Sequence, residues 1–250
     1  MTRNGPCAPG AAPPSRSRRD GASREGAPHR RRPAMLAAWL FVLASMLGAV
    51  FATPDLDRME TLAGTRYGAR AAETVAAWRR MMADATTVDE REQLTRVNDF
   101  FNRRIVYQED QVIWNEKDYW ATPLEMFGKG AGDCEDYSIA KYATLRLLGI
   151  PPERLRLIYV RARLGGAGST LSQAHMVLGY FPTPTSEPLV LDNMVSEVRP
   201  AARRPDLTPV FSFNSEGLWA AGSTSSSADP TTRLSRWRNV LDRMREDGLQ

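Results

Sequence analysis

Beyond residue 53 the apolar positions change period once, and that change divides the chain into a helical part and a strand part. Arg70 to Ala85 is alanine-rich and sets Val75, Trp78 and Met82 on one helical face. Thr87 or Asp89 then supplies a cap for a helix running to about Asn102, with Leu94, Val97 and Phe101 as its apolar stripe. Ile105 to Tyr107 is a short extended piece, Trp114 to Trp120 is aromatic and polar, and Pro123 suits the first turn of a short helix. Gly128, Gly130 and Gly132 interrupt that helix. Asp133 opens the next one, which carries Ile139, Tyr142, Ala143, Leu147 and Leu148 and stops at Gly149 and Pro151.

From Leu155 the pattern turns to strands. Leu155 to Ala162 and Ala174 to Phe181 are rich in β-formers and nearly alternate, and Leu189 to Leu191 is a third, shorter run. A Gly/Ser loop from Gly165 to Ser172 joins the first two, and Pro182, Pro184 and Pro188 punctuate the next connection. Helices followed by an antiparallel sheet define an α+β domain over 53–222. Residues 223–250 begin with a Ser/Thr linker and end in a helix carrying Leu234, Trp237, Val240, Leu241 and Met244. That stripe docks on the domain or, alternatively, serves a partner. There are no internal repeats.

Charge adds a third region in front of these two. The whole chain of 250 residues carries a net charge of +4 with a pI near 9.3, which invites a nucleic-acid reading. The basicity is local, however. Residues 1–33 hold eight arginines against Asp20 and Glu25, and residues 34–52 hold no charge, so the remainder is slightly acidic. A basic leader rich in Pro, Gly, Ala and Ser reads as disordered. The apolar run that follows and its Val50-Phe51-Ala52 end form a signal-peptide pattern, with cleavage after Ala52. The alternative is an uncleaved anchor. Either way the expectation is export to the periplasm, no nucleic-acid partner, and membrane contact only through this segment.

Removing the leader removes Cys7 and His29, leaving Cys134 and His175 as the single cysteine and histidine. Cys134 falls at a predicted helix N-terminus, where unpaired amides and the helix dipole favour a thiolate. His175 follows on a predicted strand and Asp192 at the end of the next. Cys, His and Asp in that order form the arrangement of papain-like and transglutaminase-like thiol chemistry. Each residue also has a bland reading: a small core cysteine, a satisfied core histidine, and a turn pair with Asn193. Asp133, Glu135 and Asp136 surround the cysteine. They suit the positive helix end, yet three carboxylates oppose thiolate formation. A hard cation such as calcium would offset them, although the spacing is not that of an EF-hand.

The blocks Gly132-Asp133-Cys134-Glu135-Asp136-Tyr137, Ile139-Ala140-Lys141-Tyr142, Val97-Asn98-Asp99-Phe100-Phe101-Asn102, Asp118-Tyr119-Trp120-Ala121-Thr122-Pro123, His175-Met176-Val177-Leu178 and Leu191-Asp192-Asn193 resemble those of the bacterial transglutaminase-like cysteine proteinases, the LapG family. The resemblance runs from about Tyr67 to Trp219. It implies an α+β, transglutaminase-like and papain-related fold, with N-terminal helices and a nucleophile helix packed on an antiparallel sheet. It further implies a calcium-dependent periplasmic endopeptidase that cuts the N-terminal region of a large repeat-containing adhesin at paired alanines. Release of the adhesin disperses a biofilm, and a LapD-like inner-membrane cyclic di-GMP receptor sequesters the protease. By the same resemblance Cys134 is the nucleophile, His175 the base and Asp192 the orienting acid, with calcium held by Asp133, Glu135 and Asp136. Two rivals stay open: transglutaminase or amidase action on cell-envelope peptides, and a calcium-dependent binding module without turnover.

Overall fold

The computed structural model describes residues 53–166 and 168–249. The basic leader and the apolar segment 34–52 lie outside them. The described residues open with three helices, α1 (Leu56–Tyr67), α2 (Ala69–Ala85) and α3 (Glu90–Arg104). Asp89 starts α3 by accepting the Glu92 amide at 2.8 Å, with Glu90 and Glu92 at the positive end and Arg103 and Arg104 at the negative end. A two-residue strand β1 (Val106–Tyr107), a single helical turn α4 (Asp110–Ile113) and a short helix α5 (Pro123–Lys129) follow. Pro123 occupies the first turn of α5, where its missing amide costs nothing, and Thr122 and Glu125 close a reciprocal capping box. Gly130 ends α5 in the left-handed region, at φ 66°.

Strand β2 (Ala131–Gly132) pairs in parallel with β1 and leads straight into α6 (Cys134–Leu147). A side chain at Gly132 would put its Cβ 2.9 Å from the Cβ of Asp136, so the approach of this strand to the helix requires glycine. The long strands β3 (Leu155–Arg163) and β4 (Ser172–Tyr180) form a hairpin, and β5 (Leu189–Leu191), β6 (Arg199–Pro200), β7 (Leu207–Phe213) and β8 (Leu218–Ala220) complete the sheet. The order is β6-β5-β4-β3-β7-β8, antiparallel throughout. Two short helices, α7 (Pro230–Arg233) and α8 (Ser235–Glu246), end the fold. The architecture is α+β, with the helices on one face of the sheet.

The core between helices and sheet is built on fully buried Trp78, Phe101, Leu124, Met126, Ile139, Leu145, Leu155, Phe213 and Trp237. The two tryptophans hydrogen-bond through their indole N–H groups, Trp78 to Thr144 Oγ1 at 2.9 Å and Trp237 to the Asn214 carbonyl at 3.1 Å. Helix α8 buries Trp237, Val240, Leu241 and Met244 against this core, so its apolar stripe is covered by its own chain. Val160, Val177 and Val190 form a small second cluster. Among the described residues no helix is long and apolar enough to cross a membrane.

Helix α1 and strands β7 and β8 have no counterpart in the sequence reading. Only Met59 and Ala63 of α1 are fully buried, too few to set a period. Pro209 disguises β7: it is tolerated because the β3–β7 register shifts between Tyr159 and Val160, a bulge that absorbs the irregular residue.

Candidate active site

The base side of the site is assembled by strands β4 and β5. His175 lies on β4 and is 2% exposed. Its Nε2 meets Asp192 Oδ1 at 2.8 Å, one residue past the end of β5. The same oxygen accepts the Met194 amide at 3.0 Å, while the other carboxylate oxygen pairs with the Arg204 guanidinium at 2.7 Å. Asn102 of α3 donates its side-chain N–H to the Asp192 carbonyl at 2.7 Å and fixes the backbone of this corner. Burial pushes the Asp192 carboxyl up. The hydrogen bond and charge of His175, the Met194 amide and Arg204 outweigh it and hold the group down to about 2.

On the nucleophile side, the register of the sheet explains how Cys134 reaches this strand. Strand β5 stops opposite Leu178, so Met176 has no strand partner on that edge. The start of α6 takes its place. Ser138 Oγ donates to the Met176 carbonyl at 3.1 Å, and the Met176 amide lies close enough to the Cys134 sulfur to favour its thiolate. The nucleophile thus sits at the helix N-terminus against the residue that follows His175. Its thiol donates to Glu135 Oε2 at 2.8 Å. Burial, then Glu135 and Asp133, push the thiol well above its ordinary range, and the Met176 amide opposes this only in part. The helix-end advantage expected from sequence is therefore overridden, first by burial and then by the carboxylates beside it.

Those carboxylates belong to a larger cluster than the sequence shows. Ligand atoms of Asp133, Cys134 and Glu135, of Asp110, Asp133 and Asp136, and of Asp110, Asp118 and Glu135 lie within 4.8 Å of one another in each set. Asp110 is 3% exposed and its Oδ1, like Oδ1 of Asp133, meets no hydrogen-bond donor. Burial and the neighbouring acids push Asp110 up to about 6 and Asp133 up to about 10. Asp136 differs, because its Oδ1 accepts the Ala121 amide at 2.7 Å and its Oδ2 the Asp133 amide at 3.4 Å. It ties the 118–122 loop to the start of α6. Crowded carboxylates with orphaned oxygens form an all-oxygen donor set that fits a hard divalent cation.

Every residue singled out from sequence thus converges on one place: Cys134 with Asp133, Glu135 and Asp136 at the head of α6, and His175 with Asp192 on the adjoining strands. Sequence reasoning missed Asp110, Asp118, Asn102 and Arg204. Asp118 and Asn102 fall inside blocks already noted, and Asp110 opens the single turn α4. None of the four has a spacing that marks it, because the contacts are made by the fold.

Comparisons with known proteins agree with this geometry. No curated protein sequence matches the chain significantly. The solved structure of EGTA-treated LapG from Legionella pneumophila superposes with a TM-score of 0.67 at 39% identity, over 77% of this chain and 99% of that one. The calcium-bound form of that protein superposes with a TM-score of 0.65 at 40% identity, over 76% and 98%. Residues 63–206 match the family described as bacterial transglutaminase-like cysteine proteinase BTLCP, and the chain belongs to that family.

Proposed function

We propose that the protein is a calcium-dependent cysteine endopeptidase in which Cys134, His175 and Asp192 form the catalytic triad. The observation that carries this reading is the placement of Cys134 at the helix end against Met176, next to a buried His175 whose Nε2 is held by Asp192. With Nε2 engaged, Nδ1 is the ring nitrogen free to exchange a proton with the thiol. Proton transfer from Cys134 to His175 gives a thiolate and an imidazolium, and ionised Asp192 stabilises the latter. The thiolate attacks the scissile carbonyl, and amides at the α6 N-terminus face the developing oxyanion. His175 returns its proton to the leaving amine as the C–N bond breaks. Water then hydrolyses the thioester, with the imidazole accepting its proton.

Asp133, Glu135, Asp110 and Asp118 would hold the calcium ion. When bound, the ion supplies positive charge that offsets the carboxylates opposing the thiolate. This reading is supported by the orphaned oxygens here and by the existence of a calcium-bound form of the Legionella protein.

The finer reading follows the family resemblance. The protein acts in the periplasm after export by its N-terminal segment. Its substrate is the N-terminal region of a large adhesin, whose release disperses a biofilm under control of a cyclic di-GMP receptor. The test is cleavage of such an adhesin fragment carrying paired alanines. Wild-type protein cleaves it in calcium, whereas Cys134→Ala and His175→Ala leave it intact. Undiminished cleavage by purified Cys134→Ala overturns the mechanism. Incorporation of a labelled amine without fragment release would make the protein a transglutaminase instead.

A further inference from the structure

The family-matched region ends at residue 206, yet helix α8, well beyond it, grips the loop that completes the acidic cluster. Arg243 is the centre of the grip. Its Nη1 donates to the Tyr119 hydroxyl at 2.9 Å and to Glu125 Oε2, and its Nη2 donates to the Trp120 carbonyl at 2.5 Å. Its guanidinium also stacks over the Tyr119 ring, 4.8 Å from the centroid. Asn239, one turn earlier on α8, accepts Arg243 Nε at 2.9 Å and fixes the fork from behind. Arg236 adds a contact to Asp118 Oδ1 at 3.0 Å, and Asp247 accepts the Thr122 hydroxyl at 2.6 Å.

The other side of the same loop faces the carboxylates. The Tyr119 amide donates to Asp110 Oδ2 at 2.6 Å and the Ala121 amide to Asp136 Oδ1 at 2.7 Å. Residues 118–122 are thus clamped between α8 and the cluster. Asp110 is almost fully buried with one oxygen left without a donor, which points to a ligand rather than to a closed hydrogen-bond network. Fixing a backbone costs conformational entropy, so a loop ordered in advance lets an ion bind without that cost.

We propose that Arg243 is a positioning residue for the cation site, holding Tyr119 and Trp120 so that Asp110 and Asp118 keep the spacing to Asp133 and Glu135 that a divalent ion requires. The inference rests on the calcium reading above. A guanidinium fork is needed because four acceptors lie in different directions, and a lysine ammonium cannot reproduce that planar pattern.

The experiment titrates wild type, Arg243→Met and Arg243→Lys with calcium, followed by melting temperature, and with terbium, followed by Tyr- and Trp-sensitised luminescence. The expected result is about tenfold weaker binding of either ion in Arg243→Met, with a smaller loss in Arg243→Lys, the size typical of supports behind metal ligands. The increase in melting temperature on adding calcium shrinks correspondingly. A purely structural role predicts instead that both melting temperatures fall equally while ion affinity is unchanged, and that result overturns the inference. If Arg243→Met does not fold, Arg243→Lys decides by the same affinity. A wild type that binds neither ion overturns the calcium reading and this inference together; a wild type that binds beside unaltered variants overturns this inference alone.

Discussion

The two halves of the site are built on opposite electrostatic plans. Around His175 the buried acid is matched by positive charge from the polypeptide itself: one Asp192 oxygen meets the imidazole and an amide, the other is ion-paired with Arg204, and the carboxyl is held down to about 2. Around Cys134 the buried acids face one another. Asp110 and Asp133 each leave an oxygen without a donor, and their carboxyls are pushed up to about 6 and about 10. The first half carries its own countercharge, whereas the second has room for a positive charge from outside the chain. The proposed catalytic apparatus would therefore join a base that is formed as folded to a nucleophile that a cation switches on.

The sharpest way to probe the base half is Asp192→Asn. The amide keeps the shape but not the charge that stabilises imidazolium, so kcat falls by up to about 10⁴-fold, measured on the adhesin fragment in saturating calcium. A loss below tenfold would remove Asp192 from the triad.

The nucleophile half is probed by chelation. Calcium at a hundredfold excess over its Kd stabilises the native state by about 3 kcal/mol, read as a shift in urea midpoint between calcium and EGTA. Coincident unfolding curves would show that the cluster holds no ion.

Acid separates the halves by a smaller amount. The folded Asp192 carboxyl titrates at about 2 instead of the usual 3.8, so it is a depressed acid. Its contribution of about 2 kcal/mol is fully present above pH 4 and is lost as the pH falls through 2. The stability difference between wild type and Asp192→Asn should accordingly close between pH 5 and pH 2. A difference that stays constant over that range means that the ion pair makes no such contribution.

The smallest effect reverses sign between the halves. Asp133→Asn removes one of several mutually repelling acids, so in EGTA it stabilises the fold by about 1 kcal/mol, while abolishing much of the gain on adding calcium. Asp192→Asn, by contrast, destabilises under both conditions. If Asp133→Asn is also destabilising in EGTA, the cluster is held by internal hydrogen bonds and the contrast between the halves fails.

What the sequence reveals divides along similar lines. Period, caps and turn residues place α2, α3, α5, α6, β3, β4 and β5 within a few residues of their observed ends, because each buries a regular stripe or carries a start signal such as Asp89 or Pro123. The single Cys and single His beyond the leader mark the centre of the site, and the acidic triplet around Cys134 signals a cation. The partners that decide the chemistry are hidden. Arg204 reaches Asp192 from a turn after β6, and Asp110 reaches Asp133 across 23 residues of loop and helix that obey no period. The Met176 amide that contacts the sulfur is available only because β5 is three residues long, which is a property of pairing rather than composition.

The central claim is that external positive charge converts Cys134 from a buried thiol into a nucleophile. It is tested most directly by the rate of iodoacetamide alkylation at Cys134, followed by mass spectrometry of its peptide in calcium and in EGTA at the same pH. Lowering a thiol pKa by one unit raises the thiolate fraction about tenfold when the pKa lies above the working pH. The account predicts alkylation at least about tenfold faster in calcium. Equal rates in calcium and EGTA, in protein shown to bind calcium, would contradict it.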